Sequence, residues 1–146
     1  MAIGAGSAVF VYGAEVTALS SSGAIASNAF SATTITSVTP AQAAPLADAV
    51  LDVTMAVATV AGDAFHLYRR DMNIDGANHA TVPDANFKNT YVGSFPLDLV
   101  TSQQYISLTD IPLTVDQEFY IENDSGQTTT GTTVLTIKPK TYNAQA

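Results

Sequence analysis

The sequence predicts an all-β chain: a two-sheet β-sandwich of jelly-roll type, preceded by an extended N-terminal arm. Three observations carry that expectation. Short runs of β-branched and aromatic residues recur along the chain, clusters of Asn, Asp, Ser and Gly separate them, and several runs alternate apolar with polar residues. Seven or eight such runs with turn signals between them match a sandwich better than any helical architecture. The 146 residues suit one domain, and a chain of that size buries roughly 68–70% of the surface its unfolded form exposes. Residues 1–20 are assigned to the arm and 21–146 to the sandwich.

The elements follow in order. The first 45 residues are dominated by Ala, Ser, Thr and Gly, with Glu15 their only charge. Within them, Val9-Phe10-Val11-Tyr12 and Thr33-Thr34-Ile35-Thr36 have strand propensity, and Ser20-Ser21-Ser22-Gly23 reads as a breaker. From Ala49 to Val57 the odd positions are apolar and Asp52 and Thr54 sit between them. A helical reading through Leu46, Val50, Val53 and Val57 also fits, but the Val and Thr content and the following Gly62-Asp63 favour a strand. Residues 63–70 alternate Phe65 and Leu67 against His66 and Tyr68, and break at Asp71 to Gly76.

Residues 75–90 form a long loop. A strand over 91–100 then places Tyr91, Phe95, Leu97 and Leu99 on one face, with Pro96 demanding an edge or a bulge. Another short strand spans 105–108. In 116–121 the alternation puts Glu118, Tyr120 and Glu122 on a wet face and Phe119 and Ile121 on a buried one. Asn123-Asp124-Ser125-Gly126 supplies a turn before the last strand, 132–138.

Charge and composition exclude several function classes. The net charge is −8 and the five cations are Arg69, Arg70, Lys88, Lys138 and Lys140. So few scattered cations cannot neutralise a run of phosphates or attach to an anionic bilayer, so neither nucleic acid nor membrane is an expected partner. Absence of cysteine removes disulfides, thiolate zinc sites and cysteine nucleophiles. Met1 to Ser7 lacks the basic and apolar regions of a secretory leader, and no apolar run reaches the roughly 18 residues of a membrane span. Charged residues make up only 12% of the chain, against roughly 25% in an average domain, which points to surface destined for contact with other chains.

The sharpest local pattern is Asp71-x-Asn73-x-Asp75-Gly76, the first half of a calcium loop. The twelfth position is Val82 rather than a bidentate glutamate, so an ordinary Asx-rich turn is the favoured reading and no cofactor is expected. His66 and His79 lack a ligand partner at useful spacing, and no nucleophile elbow is present. Glu118 and Glu122 share one strand face, whereas glycosidase carboxylates oppose each other across a cleft. Tyr68, Tyr91, Tyr105, Tyr120 and Tyr142 fit protein interfaces or sugar stacking, and the chain has no Trp to strengthen the sugar reading. No catalytic residue is assigned and no enzyme is expected.

The runs His66-Leu67-Tyr68-Arg69-Arg70-Asp71-Met72-Asn73-Ile74-Asp75-Gly76, Tyr91-Val92-Gly93-Ser94-Phe95, Gln104-Tyr105, Phe119-Tyr120-Ile121-Glu122-Asn123 and Lys138-Pro139-Lys140-Thr141-Tyr142 resemble small β-sandwich virion proteins of tailed bacteriophages. The resemblance covers about the C-terminal half. It implies a structural protein of the virion, of the decoration or cement type, on the outer capsid surface. Its partners would be the major capsid protein and further copies of itself, most simply in a trimer. A receptor- or glycan-binding fibre module and a head–tail connector or tail component are the alternatives. Val9, Phe10, Val11 and Tyr12 are expected to act as an assembly arm that adds a strand to a neighbour's sheet.

Overall fold

The computed structural model describes residues 10–31, 34–39, 44–88 and 90–142. Nine strands are present among them: β1 (Phe10–Tyr12), β2 (Val16–Ser21), β3 (Thr34–Ile35), β4 (Leu46–Val53), β5 (Ala64–Asp71), β6 (Thr90–Pro96), β7 (Gln104–Pro112), β8 (Gln117–Asp124) and β9 (Thr133–Tyr142). They form two antiparallel sheets. The larger has the order β3-β2-β9-β4-β7 with β1 also on β9, and the smaller has the order β6-β5-β8. The β-sandwich is as expected. Its division of six strands against three is less even than that of an eight-stranded jelly roll.

The two sheets are interlocked by their connections. The chain crosses from the large to the small sheet between β4 and β5 and again between β7 and β8; β4 pairs with β7, and β5 with β8. These crossings tether one sheet to the other at opposite ends of the β4/β7 pair. Between them lie Phe65, Phe95, Phe119, Leu19, Leu51, Met55, Leu67, Ile121, Leu135 and Ile137, all fully or almost fully buried. Alternation generates this layer: Ala47, Ala49, Leu51 and Val53 of β4 point inward, as do Leu135 and Ile137 of β9. Fully buried polar side chains join them on the same inward faces, among them Gln117, Asn123 and Thr133. Gln117 is fully buried, donates to the Val38 carbonyl at 2.8 Å and accepts from the Thr114 amide at 2.6 Å, so its amide is satisfied at both ends.

Several local readings are corrected by the fold. The boundary expected after residue 20 falls inside β2, whose Ala18 and Leu19 belong to the core. That strand escaped the sequence reading because a bulge between Thr17 and Leu19 breaks its alternation, burying adjacent residues. Ser20 and Ser21 are its last residues and not a breaker. Of the assembly arm, Phe10, Val11 and Tyr12 pair with Tyr142, Thr141 and Lys140 of the same chain, while Val9 lies outside the described residues. Tyr91 and Phe95 do not share a face. A bulge opposite Leu67/Tyr68 leaves Tyr91 outward beside Tyr68 and Phe95 inward beside Phe65. Pro96 ends β6, an edge strand, in keeping with its missing amide.

Gly93 of β6 faces Leu108 of β7, where the two sheets meet at one corner. A Cβ there would lie 2.6 Å from Leu108 Cδ2, so the glycine is what lets β6 approach β7 with the leucine in its present rotamer.

Candidate functional site

The small sheet presents a face that is polar in sequence and closed in structure. On its outer side the cross-strand pairs His66/Glu122, Tyr68/Tyr120 and Arg70/Glu118 stack along β5 and β8. Glu118 accepts from Arg70 Nη1 at 2.9 Å and from the Tyr120 hydroxyl at 2.7 Å. Glu122 accepts from Lys88 Nζ at 2.7 and 2.8 Å and from the Tyr68 hydroxyl at 3.0 Å. His66 bridges Ser94 at 2.8 Å and Asp124 at 3.1 Å.

Burial and these contacts shift the titrations of Tyr68, Arg70, Lys88 and Tyr120. Burial first, and then the hydrogen bond to Glu118, pushes the Tyr120 hydroxyl up to about 12. Tyr68 is raised by burial and by Glu122. Lys88 is raised by its hydrogen bond to Glu122. For Arg70, burial is the largest single influence and opposes the charge, but the hydrogen bond to Glu118, its charge and the neighbouring Tyr120 together outweigh it and the pKa rises.

The wet face expected for β8 is therefore buried: Tyr120 and Glu122 are each under one-tenth exposed. The cause lies in distant segments. Residues 28–31 and Val38 run along the free edge of β8, with bridges Phe30/Glu122 and Val38/Gln117, and Phe30 stacks on Tyr68 at 5.4 Å. Lys88 closes the other side, 5.9 Å above the Tyr68 ring. Glu118 and Glu122 are four residues apart on one strand, roughly 13 Å by strand rise, and each is taken up by its own cation. Glycosidase pairs stand about 5–9.5 Å apart across a cleft, so this pair fits the ion-pair reading.

The half calcium loop is also rearranged. Asp71 sits 2.9 Å from Arg69 Nε and accepts from Thr114. Asn73, in the left-handed region at φ 52°, donates to Asp116 at 2.9 Å. Asp75 accepts from the Ala77 and Asn78 amides, which hold its carboxyl down at about 2, with the Asn78 amide the largest cause. Asp71 and Asn73 thus meet the β7–β8 connection, and Asp75 caps its own turn. Among the described residues no group of three or more His, Cys, Asp and Glu is arranged to hold a metal. His79 accepts from the Asn73 amide at 3.1 Å and belongs to the same turn.

The large sheet differs. Among its outward residues are two cross-strand rows: Thr17, Thr136, Val50 and Ser107, and beside them Ser20, Val134, Asp52 and Tyr105. Within these two rows only Asp52 is charged; the charged pair Asp48/Lys138 borders the first row on its other side. Tyr105 is 68% exposed and Val50 39%. Half of the side chains in the two rows, Thr17, Thr136, Val50 and Val134, are β-branched, with rotamers already restricted. Such a surface can dock another protein with little side-chain ordering cost.

At one end of this sheet β1 closes over a buried cation. Lys140, only 4% exposed, pairs with Asp48 at 2.6 Å and Asp110 at 2.7 Å. Its ammonium lies 4.8 Å from the Phe10 ring centroid, and the Tyr12 hydroxyl donates to Asp48 at 2.9 Å. Hydrogen bonds to Asp110 and Asp48 raise the Lys140 pKa, so the cation persists at every physiological pH. The sequence offered no sign of this cluster, because its members are 62 and 92 residues from Asp48.

No protein family, no curated protein and no solved structure matches the chain.

Proposed function

We propose that the chain is a structural protein of a phage virion, a decoration or cement protein lying on the outer capsid surface as a homo-oligomer, most simply a trimer, over junctions between major capsid subunits. The observation that carries this reading is the open face of the large sheet. Two rows of short side chains with one charge between them leave Val50 and Tyr105 facing solvent on a rigid platform. The low charge content of the whole chain supports the same role. Several modest footprints joined in one oligomer bind far more tightly than one alone, which suits a protein that must resist outward pressure. A net charge of −8 suits the exterior, since a surface against packaged nucleic acid would be basic.

Quantitative gel densitometry of purified virions tests the assignment. Hundreds of copies per particle, together with heads that rupture more readily when the protein is missing, are expected. A few copies per particle would move the protein to the tail, and its absence from virions would end the proposal.

A further inference from the structure

The groove along the C-terminal half of β9 is a strand-binding site whose ligand is visible: it holds Phe10-Val11-Tyr12. We propose that this clasp is exchanged between copies, so that in the assembled protein β1 of one chain lies on β9 of a second. The inference deepens the assembly reading and rests on it for the premise that copies meet.

Three observations point to a separable clasp. First, β1 pairs with β9 and with no other strand among the described residues. Second, Gly13, Ala14 and Glu15 join β1 to β2 outside either strand, with the Gly13 amide still donating to the Pro139 carbonyl of β9 at 2.8 Å, although both strands lie end to end along β9. A three-residue linker containing glycine can redirect β1 while β2 stays anchored by Ala18 and Leu19 in the core. Third, the recognition chemistry of the groove is indifferent to which chain supplies the strand. Phe10 stacks on Tyr142 at 5.0 Å and covers Lys140, and Tyr12 reaches Asp48. All of these contacts form equally well within a chain or between chains.

The surroundings of the linker favour the second copy. With β1 docked, Val11, Tyr12 and Tyr142 remain 50%, 47% and 61% exposed. An open cleft lined by Val11, Gly13, Ala14, Val16, Ala44 and Pro139 runs beside the linker. Three residues span at most about 11 Å, so two chains that exchange β1 must abut at this place. Abutment covers that apolar rim, a gain the unexchanged chain does not have. The occupant of the groove is therefore β1 of another copy, delivered over a short reach to the one neighbour close enough to receive it.

The chain has no cysteine, which makes disulfide trapping clean. Phe10 and Tyr142 are register partners, and antiparallel partners lie within the Cα separation a disulfide spans. The full-length chain carrying Phe10→Cys and Tyr142→Cys is oxidised and run on a non-reducing gel. Exchange predicts a shift from monomer to dimers and higher species, with the 10–142 disulfide located between chains by peptide mass spectrometry of a mixture of the two single variants. An internal disulfide alone overturns the inference, whether the chain runs as monomer or oligomer; so does a complete failure to cross-link, which would mean that another protein's strand or none occupies the groove. An oligomer with internal disulfides would leave the virion role standing and remove only the exchange. If the reduced variant does not fold by circular dichroism, Val11→Cys with Thr141→Cys, the neighbouring register pair, replaces it.

Discussion

The outer faces of the two sheets began from similar material and reached opposite ends. On the small sheet, His66, Tyr68, Arg70, Glu118, Tyr120 and Glu122 alternate with core residues in the pattern of a solvated surface, yet Tyr68, Tyr120 and Glu122 are buried. On the large sheet, Val50 and Tyr105 would be at home in a core, yet they face solvent. The difference teaches that burial outside a sandwich core is decided by what the connecting segments cover. Polar residues near a covered edge are then paired internally, and a face left uncovered keeps its surface for a partner. Charge on the small sheet serves cohesion; on the large sheet the rows through Val50 and Tyr105, with Asp52 their one charge, leave a platform beside the charged Asp48/Lys138 pair.

The sharpest way to break this comparison begins in the shared core. Phe119 is fully buried between the sheets, and Phe119→Ala is expected to cost about 3–5 kcal/mol in a denaturant titration. A cost near that of a surface change would mean that the two sheets do not pack through β8. Next comes the closed face. Arg70 and Glu118 side chains are 18% and 15% exposed and bonded to each other, so Arg70→Met, which takes the cation from Glu118 and the donor from the Ala80 carbonyl, should cost about 1–3 kcal/mol. Loss of less than a few tenths would show that the face is wet after all.

A pH series sharpens the same point. Tyr120 has its folded pKa raised from 10.0 to about 12. The neutral phenol is favoured by folding, so its contribution is complete below pH 10 and is lost as pH rises through about 12. Unfolding midpoints between these values should fall with pH, and Tyr120→Phe should flatten that decline. A slope unchanged by the substitution would place the effect on other groups.

The smallest effect on stability is expected on the open face. Tyr105→Ser and Thr136→Lys should each change stability by no more than about 0.5 kcal/mol. Thr136→Lys, by placing a charge in the middle of the platform, should nonetheless abolish attachment to capsids in a particle-pelleting assay. Undiminished attachment would put the docking surface elsewhere.

Much of the secondary structure was legible in the chain. The alternation of Phe65 and Leu67 with His66 and Tyr68, and of Phe119 and Ile121 with their neighbours, placed β5 and β8 with their inward faces correct. Such patterns are local consequences of a two-residue period, and any stretch that keeps its register reveals them. Bulges hide them. The irregularities in β2 and opposite Leu67/Tyr68 concealed one strand and misassigned Tyr91, because one extra residue reverses the face of everything beyond it.

What the sequence determined by itself was therefore the class and the inward faces: β-branched runs, turn clusters and period-two patterning specify antiparallel sheets whatever lies around them. Tertiary structure alone decided which outward faces stay open. Residues 28–31, Val38 and Lys88 reach the small sheet from far along the chain, Asp48 and Asp110 gather around Lys140, and Asp71 and Asn73 leave a would-be metal loop for Thr114 and Asp116. The physical reason is one of range. Propensity and periodicity act between neighbours in sequence, whereas a buried charge finds its partner in space, and no spacing along the chain announces which partner that will be.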